Sequence, residues 1–148
     1  MPSINVPINL QGPVVDCFVG VSNARLQAIK DLGQPAPPLE RVRLLVDTGA
    51  SCTNICSSVM SKFGMPPTGQ VPVLTPSTGA VPVFMPQYDV NLYFQFAAPG
   101  VPAHVIPTVP IICADFEAQG IDGLLGRDIL SKAVLIYHGD MKICTLAF

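Results

Sequence analysis

The sequence predicts an all-β protein with two or three short helices. Short apolar runs of strand length follow one another along the chain and are separated by turn residues. The 148 residues include 16 prolines and 12 glycines, which interrupt the chain too often for long helices. Many short strands favour a closed or sandwiched β-fold, and the length predicts a single domain over residues 1–148.

The composition indicates that another protein chain covers part of the surface. Hydrophobic residues make up 49% of the chain and charged residues 12%, about half the usual charged share. So few charges cover the surface of a monomer poorly, and we expect part of that surface to be buried against a partner. The net charge is −2 with no basic cluster, which argues against nucleic-acid binding.

The sequence carries no signal for a membrane or for secretion. No apolar run is long enough to cross a bilayer, and residues 1–6 lack the basic and apolar regions of a signal peptide. The cysteines are odd in number and scattered, which favours free thiols in a reducing compartment. We therefore expect a cytoplasmic protein. The five cysteines are Cys17, Cys52, Cys56, Cys113 and Cys144.

The first third predicts strands around one helix. Residues 1–13 alternate loosely and contain three prolines, which is typical of an edge strand or of a segment exchanged in a dimer. Residues 14–21 are a strong strand candidate. Residues 22–40 hold a capped amphipathic helix, which ends at Gly33, and a proline-rich insertion. Residues 42–46 then return as a central strand.

The remainder predicts short elements in quick succession. Residues 57–63 form one or two helical turns, and residues 71–86 form a hairpin because Pro, Ser and Gly separate two apolar runs. Further strands are expected at 88–96 and within 103–112, followed by a polar loop at 114–120. Residues 121–130 run from a strand through glycines into a short helix, and residues 134–148 form a closing hairpin.

The stretch from Leu44 to Ser51 contains the main candidate for a catalytic residue. Three apolar residues end at Asp47, and an ionised carboxylate at the end of a buried strand is costly unless something pairs or uses it. We expect a second copy of this loop, from a second chain, to face it, so that two Asp47 side chains share one proton and act as acid and base. Gly49 gives the loop backbone freedom, and Thr48 can lock the loop by hydrogen bonding.

Two segments resemble the retropepsin-like (single-lobed, retroviral-type) aspartic proteases. Leu44-Leu45-Val46-Asp47-Thr48-Gly49-Ala50-Ser51 is similar to that family's active-site segment. Gly123-Leu124-Leu125-Gly126-Arg127-Asp128-Ile129-Leu130 is similar to its second element, which opens the C-terminal helix. The resemblance covers roughly residues 14–148. The longer insertion at 22–40 looks more like a cellular or bacterial member than a compact viral one.

The resemblance implies a closed, barrel-like retropepsin fold that is active as a two-fold homodimer on protein or peptide substrates, without a cofactor. Asp47 would be catalytic, Thr48 would bond across the two-fold axis, and the Gly49 carbonyl would accept from the substrate backbone. Ala50 and Ser51 would complete the loop. The flap, whose tip would close over the substrate, would contain Ser77, Thr78, Gly79 and Ala80. Structural support would come from Gly126, Arg127 and Asp128.

One position departs from the family pattern. Viral members carry an acidic residue two positions after the motif glycine, which pairs with the arginine of the second element. Here that position is Ser51, so Arg127 needs another partner.

Simpler interpretations stand beside these. Asp47 could be a turn or cap residue, and Asp122-Gly123 could be mistaken for a second catalytic motif, although it lacks the hydroxyl residue between Asp and Gly. Cys52 and Cys56 are spaced like half a metal site, but no second pair follows, so we expect no metal. Oxidation of Cys52 beside the cleft could inhibit. The alternative functions are a non-catalytic dimeric peptide-binding domain and the processing domain of a longer polyprotein.

Overall fold

The computed structural model describes the whole chain, residues 1–148, and confirms a mostly β protein with short helices. The ten strands are β1 Ser3–Asn9, β2 Gly12–Val21, β3 Glu40–Val46, β4 Asn54–Ile55, β5 Gly69–Val73, β6 Val83–Phe94, β7 His104–Cys113, β8 Gly123–Leu125, β9 Val134–His138 and β10 Ile143–Ala147. The helices are α1 Asn23–Asp31, α2 Ser57–Met60 and α3 Arg127–Leu130, with 3-10 turns at Ser61–Phe63 and Glu117–Gln119. None of the helices is long and apolar enough to cross a membrane.

The ten strands form one sheet that closes unevenly. Their order is β5-β6-β7-β4-β8-β3-β2-β1-β10-β9, and β2 also pairs with β6, so that the strands from β6 to β2 form a ring. β5 lies outside this ring on one side, and β1, β10 and β9 extend from β2 as a wing on the other. The expectation of a closed, barrel-like fold is corrected in this respect, because the closure is uneven. β4 has two residues and β8 three, too few for a continuous ladder around the ring.

The core lies inside the ring and follows from strand alternation. On β2, Val15, Cys17 and Val19 are buried while the residues between them are partly or fully exposed. They join a cluster of 20 buried residues that draws on most of the strands and on α2 and α3. Half of the chain is apolar, and this cluster is where much of it is buried.

The parallel pairing of β3 with β8 positions the candidate site. Leu44 lies opposite Gly123, and Val46 lies opposite Leu125. Because parallel strands end at the same edge, the residues that follow them, Asp47 and Gly126, come together there. The antiparallel strand β4 packs so closely on β8 that a Cβ at position 123 would overlap the carbonyl group of Asn54.

One prediction about the strands was wrong. Separate strands were expected at 81–84 and 88–96, but one continuous strand, β6, runs through Pro86. β7 pairs with β6 only from Gln87 onward, so at Pro86 the strand has a neighbour on the β5 side alone. A proline is tolerated there because no ladder bond is needed on its open side.

The N-terminal segment is paired within the chain. β1 pairs with β10 from Ser3 to Pro7, and with β2 only at Ile8 and Asn9. The side of residues 3–7 that faces β2 is therefore unpaired in the single chain. The closing hairpin predicted for residues 134–148 is confirmed as β9 and β10.

The predicted helices are confirmed, with a narrower apolar face than expected. Ser22 caps α1, and its hydroxyl accepts from the backbone N–H of Arg25 at 3.3 Å. Ile29 is buried, whereas Leu32 is exposed. The turns at 57–63 end at Gly64, whose φ of 58° is the left-handed conformation that glycine adopts readily.

Candidate active site

The carboxylate of Asp47 is oriented by its own loop. We call residues 47–53 the active-site loop. Oδ1 of Asp47 accepts from the backbone N–H of Gly49 at 2.8 Å and of Ala50 at 3.3 Å. The Asp47 backbone N–H donates to the Leu125 carbonyl at 3.0 Å, which ties the start of the loop to β8. Asp47 is half-buried, and Thr48 and Gly49 are exposed. The loop therefore presents one aligned carboxylate at the surface.

Gly126 lies against the far end of the active-site loop. A Cβ at this position would overlap the backbone of Cys52 and Thr53. Its backbone N–H donates to Oγ1 of Thr53 at 3.1 Å. The next residue, Arg127, donates its backbone N–H to the Ala50 carbonyl at 2.9 Å. Only glycine permits this approach, which explains the second glycine of the Gly123–Leu130 segment.

Asp128 holds the loop with its side chain. Its Oδ1 accepts from Oγ1 of Thr53 at 2.8 Å, and its Oδ2 accepts from the backbone N–H of Thr53 at 3.0 Å. Thr53 is fully buried, so both of its donors are satisfied where water cannot reach them. Sequence reasoning singled out Asp128 but missed Thr53. The available signal was a hydroxyl residue placed just before the buried strand β4.

The side chain of Arg127 does not take part in this support. It is exposed, and the two ion pairs of the structure lie elsewhere, at Arg41–Asp16 and Lys62–Glu40. Arg127 contributes through its backbone alone. The acidic partner that the family pattern supplies, and that Ser51 cannot, is absent from its surroundings, and the Thr53–Asp128 pair performs the anchoring instead.

The predicted hairpin lies across from the active-site loop. Residues 74–82, here called the flap loop, connect β5 to β6. A local turn stabilises the loop: the Thr75 backbone N–H donates to Oγ1 of Thr78 at 2.8 Å, and that hydroxyl donates to the Thr75 carbonyl at 3.0 Å. Gly79 has a φ of 61°, which glycine adopts without strain.

A cavity of about 810 Å³ separates the two loops. Asp47, Gly49, Ala50 and Ser51 line one side, and Ser77 and Thr78 line the other. Thr48, Gly79 and Ala80 are not among its lining residues. Sequence reasoning missed a third wall at the end of β7, formed by Cys113, Ala114, Asp115 and Phe116.

Asp122 stabilises the fold and does not line the cavity. Its Oδ2 accepts from the backbone N–H of Arg43 at 2.8 Å, and its own N–H donates to the Arg43 carbonyl at 2.8 Å. Asp122 therefore fastens the start of β8 to β3. This position favours a structural role over that of a second catalytic aspartate.

The thiols near the cavity are kept protonated. Burial raises the pKa of the half-buried Cys52 thiol above its usual range. Burial also raises the pKa of Cys113, and the nearby Asp115 carboxylate raises it further. Since the thiolate is the reactive form, these shifts slow oxidation at neutral pH. No group of three or more His, Cys, Asp and Glu side chains is arranged to hold a metal ion.

Comparisons with known proteins identify a family and a similar fold. The sequence profile described as aspartyl protease matches residues 39–129, which is more than half of the chain and extends from β3 to α3. Among solved structures, the fold is similar to the crystal structure of a retropepsin-like aspartic protease from Rickettsia conorii, with a TM-score of 0.58. The two sequences are 14% identical, and the match covers 99% of this chain and 90% of that one. No curated protein sequence matches significantly.

Proposed function

The chain belongs to the aspartyl protease family, and from that premise we propose that it is an aspartic endopeptidase with Asp47 as its catalytic residue. The observation that carries the proposal is the place of Asp47. Its carboxylate lies at the wall of the cavity of about 810 Å³, across from the flap loop, and is aligned by two backbone N–H groups.

The proposed chemistry needs two such carboxylates. Peptide hydrolysis without a metal or a covalent nucleophile requires a base that activates water and an acid that polarises the scissile carbonyl. Two carboxylates held close together retain one proton between them, and aspartic proteases are the standard example of this arrangement. The ionised partner takes a proton from water while the protonated partner donates to the carbonyl oxygen.

The second carboxylate would come from a second copy of the chain. The sequence contains one Asp-Thr-Gly motif, and the position of Asp122 favours a structural role. A symmetric dimer places the same loop on both sides of a two-fold axis. Thr48, exposed at the tip of the active-site loop, is available to contact the partner loop across that axis.

An Asp47→Asn substitution tests the proposal. It keeps the acceptor for Gly49 and Ala50 but removes the ionisable group, so the protein should fold normally and lose cleavage by about 10³-fold or more. The measurement is mass spectrometry of a digested peptide library between acidic and neutral pH, with and without a statine-type inhibitor. Asp140→Asn, which changes an exposed aspartate in the β9–β10 turn, is the matched control and should cleave like the wild type.

Two outcomes would count against the proposal. Undiminished cleavage by Asp47→Asn would remove the catalytic assignment, and peptides that bind but stay intact would favour a binding domain on the same fold. The dimer is tested separately by dilution. Activity per chain should fall once the concentration drops below the dimer dissociation constant, and constant activity per chain would contradict a shared site.

A further inference from the structure

The cavity contains a second carboxylate that the proposed reaction does not use. We propose that Asp115, which follows the end of β7, selects peptides that place a basic side chain, lysine or arginine, beside its carboxylate. This inference rests on the proposed function only for the class of ligand, which is peptide. It adds a specificity-determining residue to the cavity.

Asp115 is held at the rim of the cavity by one of its two oxygens. Oδ1 accepts from the hydroxyl of Ser57 and from its backbone N–H, the latter at 3.3 Å. α2 begins at Ser57 and has no side-chain cap of its own, so Asp115 supplies that cap from a distant loop. Oδ2 accepts no hydrogen bond within the chain. The carboxylate is thus fixed in position with one oxygen free to receive a donor.

No cation neutralises this carboxylate. Asp47 and Asp115 are the carboxylates among the residues that line the cavity, and no lysine, arginine or histidine lines it. The two ion pairs of the chain involve other acids. The surrounding groups add to the negative potential: Glu117 and Asp122, together with Asp115, raise the pKa of the Cys56 thiol after the larger effect of its burial.

The neighbouring surface suits a long side chain with a charged end. Phe116, Leu124 and Met85 line the same cavity as Asp115. Lysine and arginine bury an aliphatic stem along apolar surface and keep the charged group beside a polar partner. A short acidic side chain would meet like charge instead, so the same arrangement disfavours aspartate and glutamate.

The test measures binding in the full-length Asp47→Asn protein, where no peptide is cleaved and Asp115 is the remaining carboxylate of the cavity. A fluorescent peptide library carries lysine or uncharged norleucine at one position at a time. We expect one position at which lysine binds about threefold more tightly, since the charge is partly exposed. Raising the salt concentration should weaken that preference.

Asp115→Asn separates charge from structure. The amide oxygen can still accept from Ser57, so the protein should keep its melting temperature while the lysine preference disappears. Asp140→Asn should leave the preference unchanged. The inference is overturned if no position prefers lysine, if no peptide binds, or if the preference survives Asp115→Asn. Cleavage by the wild type without any lysine preference would overturn this inference alone and leave the proposed protease function standing.

Discussion

The two loops that face each other across the cavity are held in opposite ways. The active-site loop is fixed by bonds to residues far along the chain: Thr53 bonds to Asp128, 75 positions away, and Gly126 bonds to Thr53, 73 positions away. The flap loop is held by bonds between Thr75 and Thr78, three positions apart. One loop is part of the ring of strands, and the other is an exposed end of a hairpin.

This difference suits the active-site loop to holding a side chain in position and the flap loop to moving. The role proposed for Asp47 requires its carboxylate to keep its geometry to within a fraction of an ångström, and bonds to distant elements restrain the active-site loop. A loop stabilised only by local bonds opens at little cost in free energy. We therefore expect the flap loop to be able to move without disturbing Asp47.

The largest expected effect comes from replacing a glycine with alanine beside each of the two loops. Gly126→Ala forces a Cβ into the backbone of Cys52 and Thr53, and we expect the free energy of unfolding to fall by about 3 kcal/mol or more. Gly69→Ala, in strand β5 before the flap loop, meets nothing within 4 Å and should change it by about 0.5 kcal/mol or less. Urea unfolding measures both, and equal costs would refute the contrast.

A smaller effect is expected from the polar anchors. Asp128→Ala leaves two donors of the buried Thr53 without an acceptor, which should cost about 2–3 kcal/mol of unfolding free energy. Thr78→Val removes the hydroxyl bonds to Thr75 but leaves the backbone bond between the same two residues, and it should cost about 1 kcal/mol or less. The Thr53→Val, Asp128→Ala double variant tests whether the pair acts as a unit. Strictly additive costs would show that it does not.

The smallest effect on the free energy of unfolding should come from a change in pH. Titratable side chains lie in the core and in the active-site loop, whereas residues 74–82 of the flap loop contain none. Burial raises the pKa of Cys17 well above its usual range. The contribution of the Cys17 thiol to the free energy of unfolding is then fully present below about pH 8.5, the pKa of cysteine in the unfolded chain. It is lost as pH rises further, by roughly 1 kcal/mol or less per pH unit. Cys17→Ala should flatten this dependence in urea titrations, and an unchanged slope would count against it.

What the sequence predicted well depends on neighbours along the chain. The strand into Asp47, the turn after it, the cap at Ser22 and the end of the short helix at Gly64 are all local patterns, and the structure has each of them. The second element was predictable because its residues are contiguous from Gly123 to Leu130.

What the sequence could not predict depends on residues brought together by the fold. Nothing in the chain order indicates that Thr53 meets Asp128, since the contact exists only because β3 and β8 run in parallel. The same holds for the cavity wall at Cys113–Phe116, which the short pairing of β4 with β7 brings beside the active-site loop. The continuous β6 was missed because Pro86 ordinarily ends a strand and here lies on an open side.

The pairing of β1 with β10 has a consequence for how the protein is made. Asn5 bonds to Thr145 at 2.7 Å across a separation of 140 residues. At about 5–20 residues per second, a ribosome needs on the order of ten seconds to add the missing partner. Until β10 has been synthesised, residues 3–7 of β1 lack their strand partner. We therefore expect the ring to assemble first on the nascent chain and the wing to form only after β10 has been synthesised.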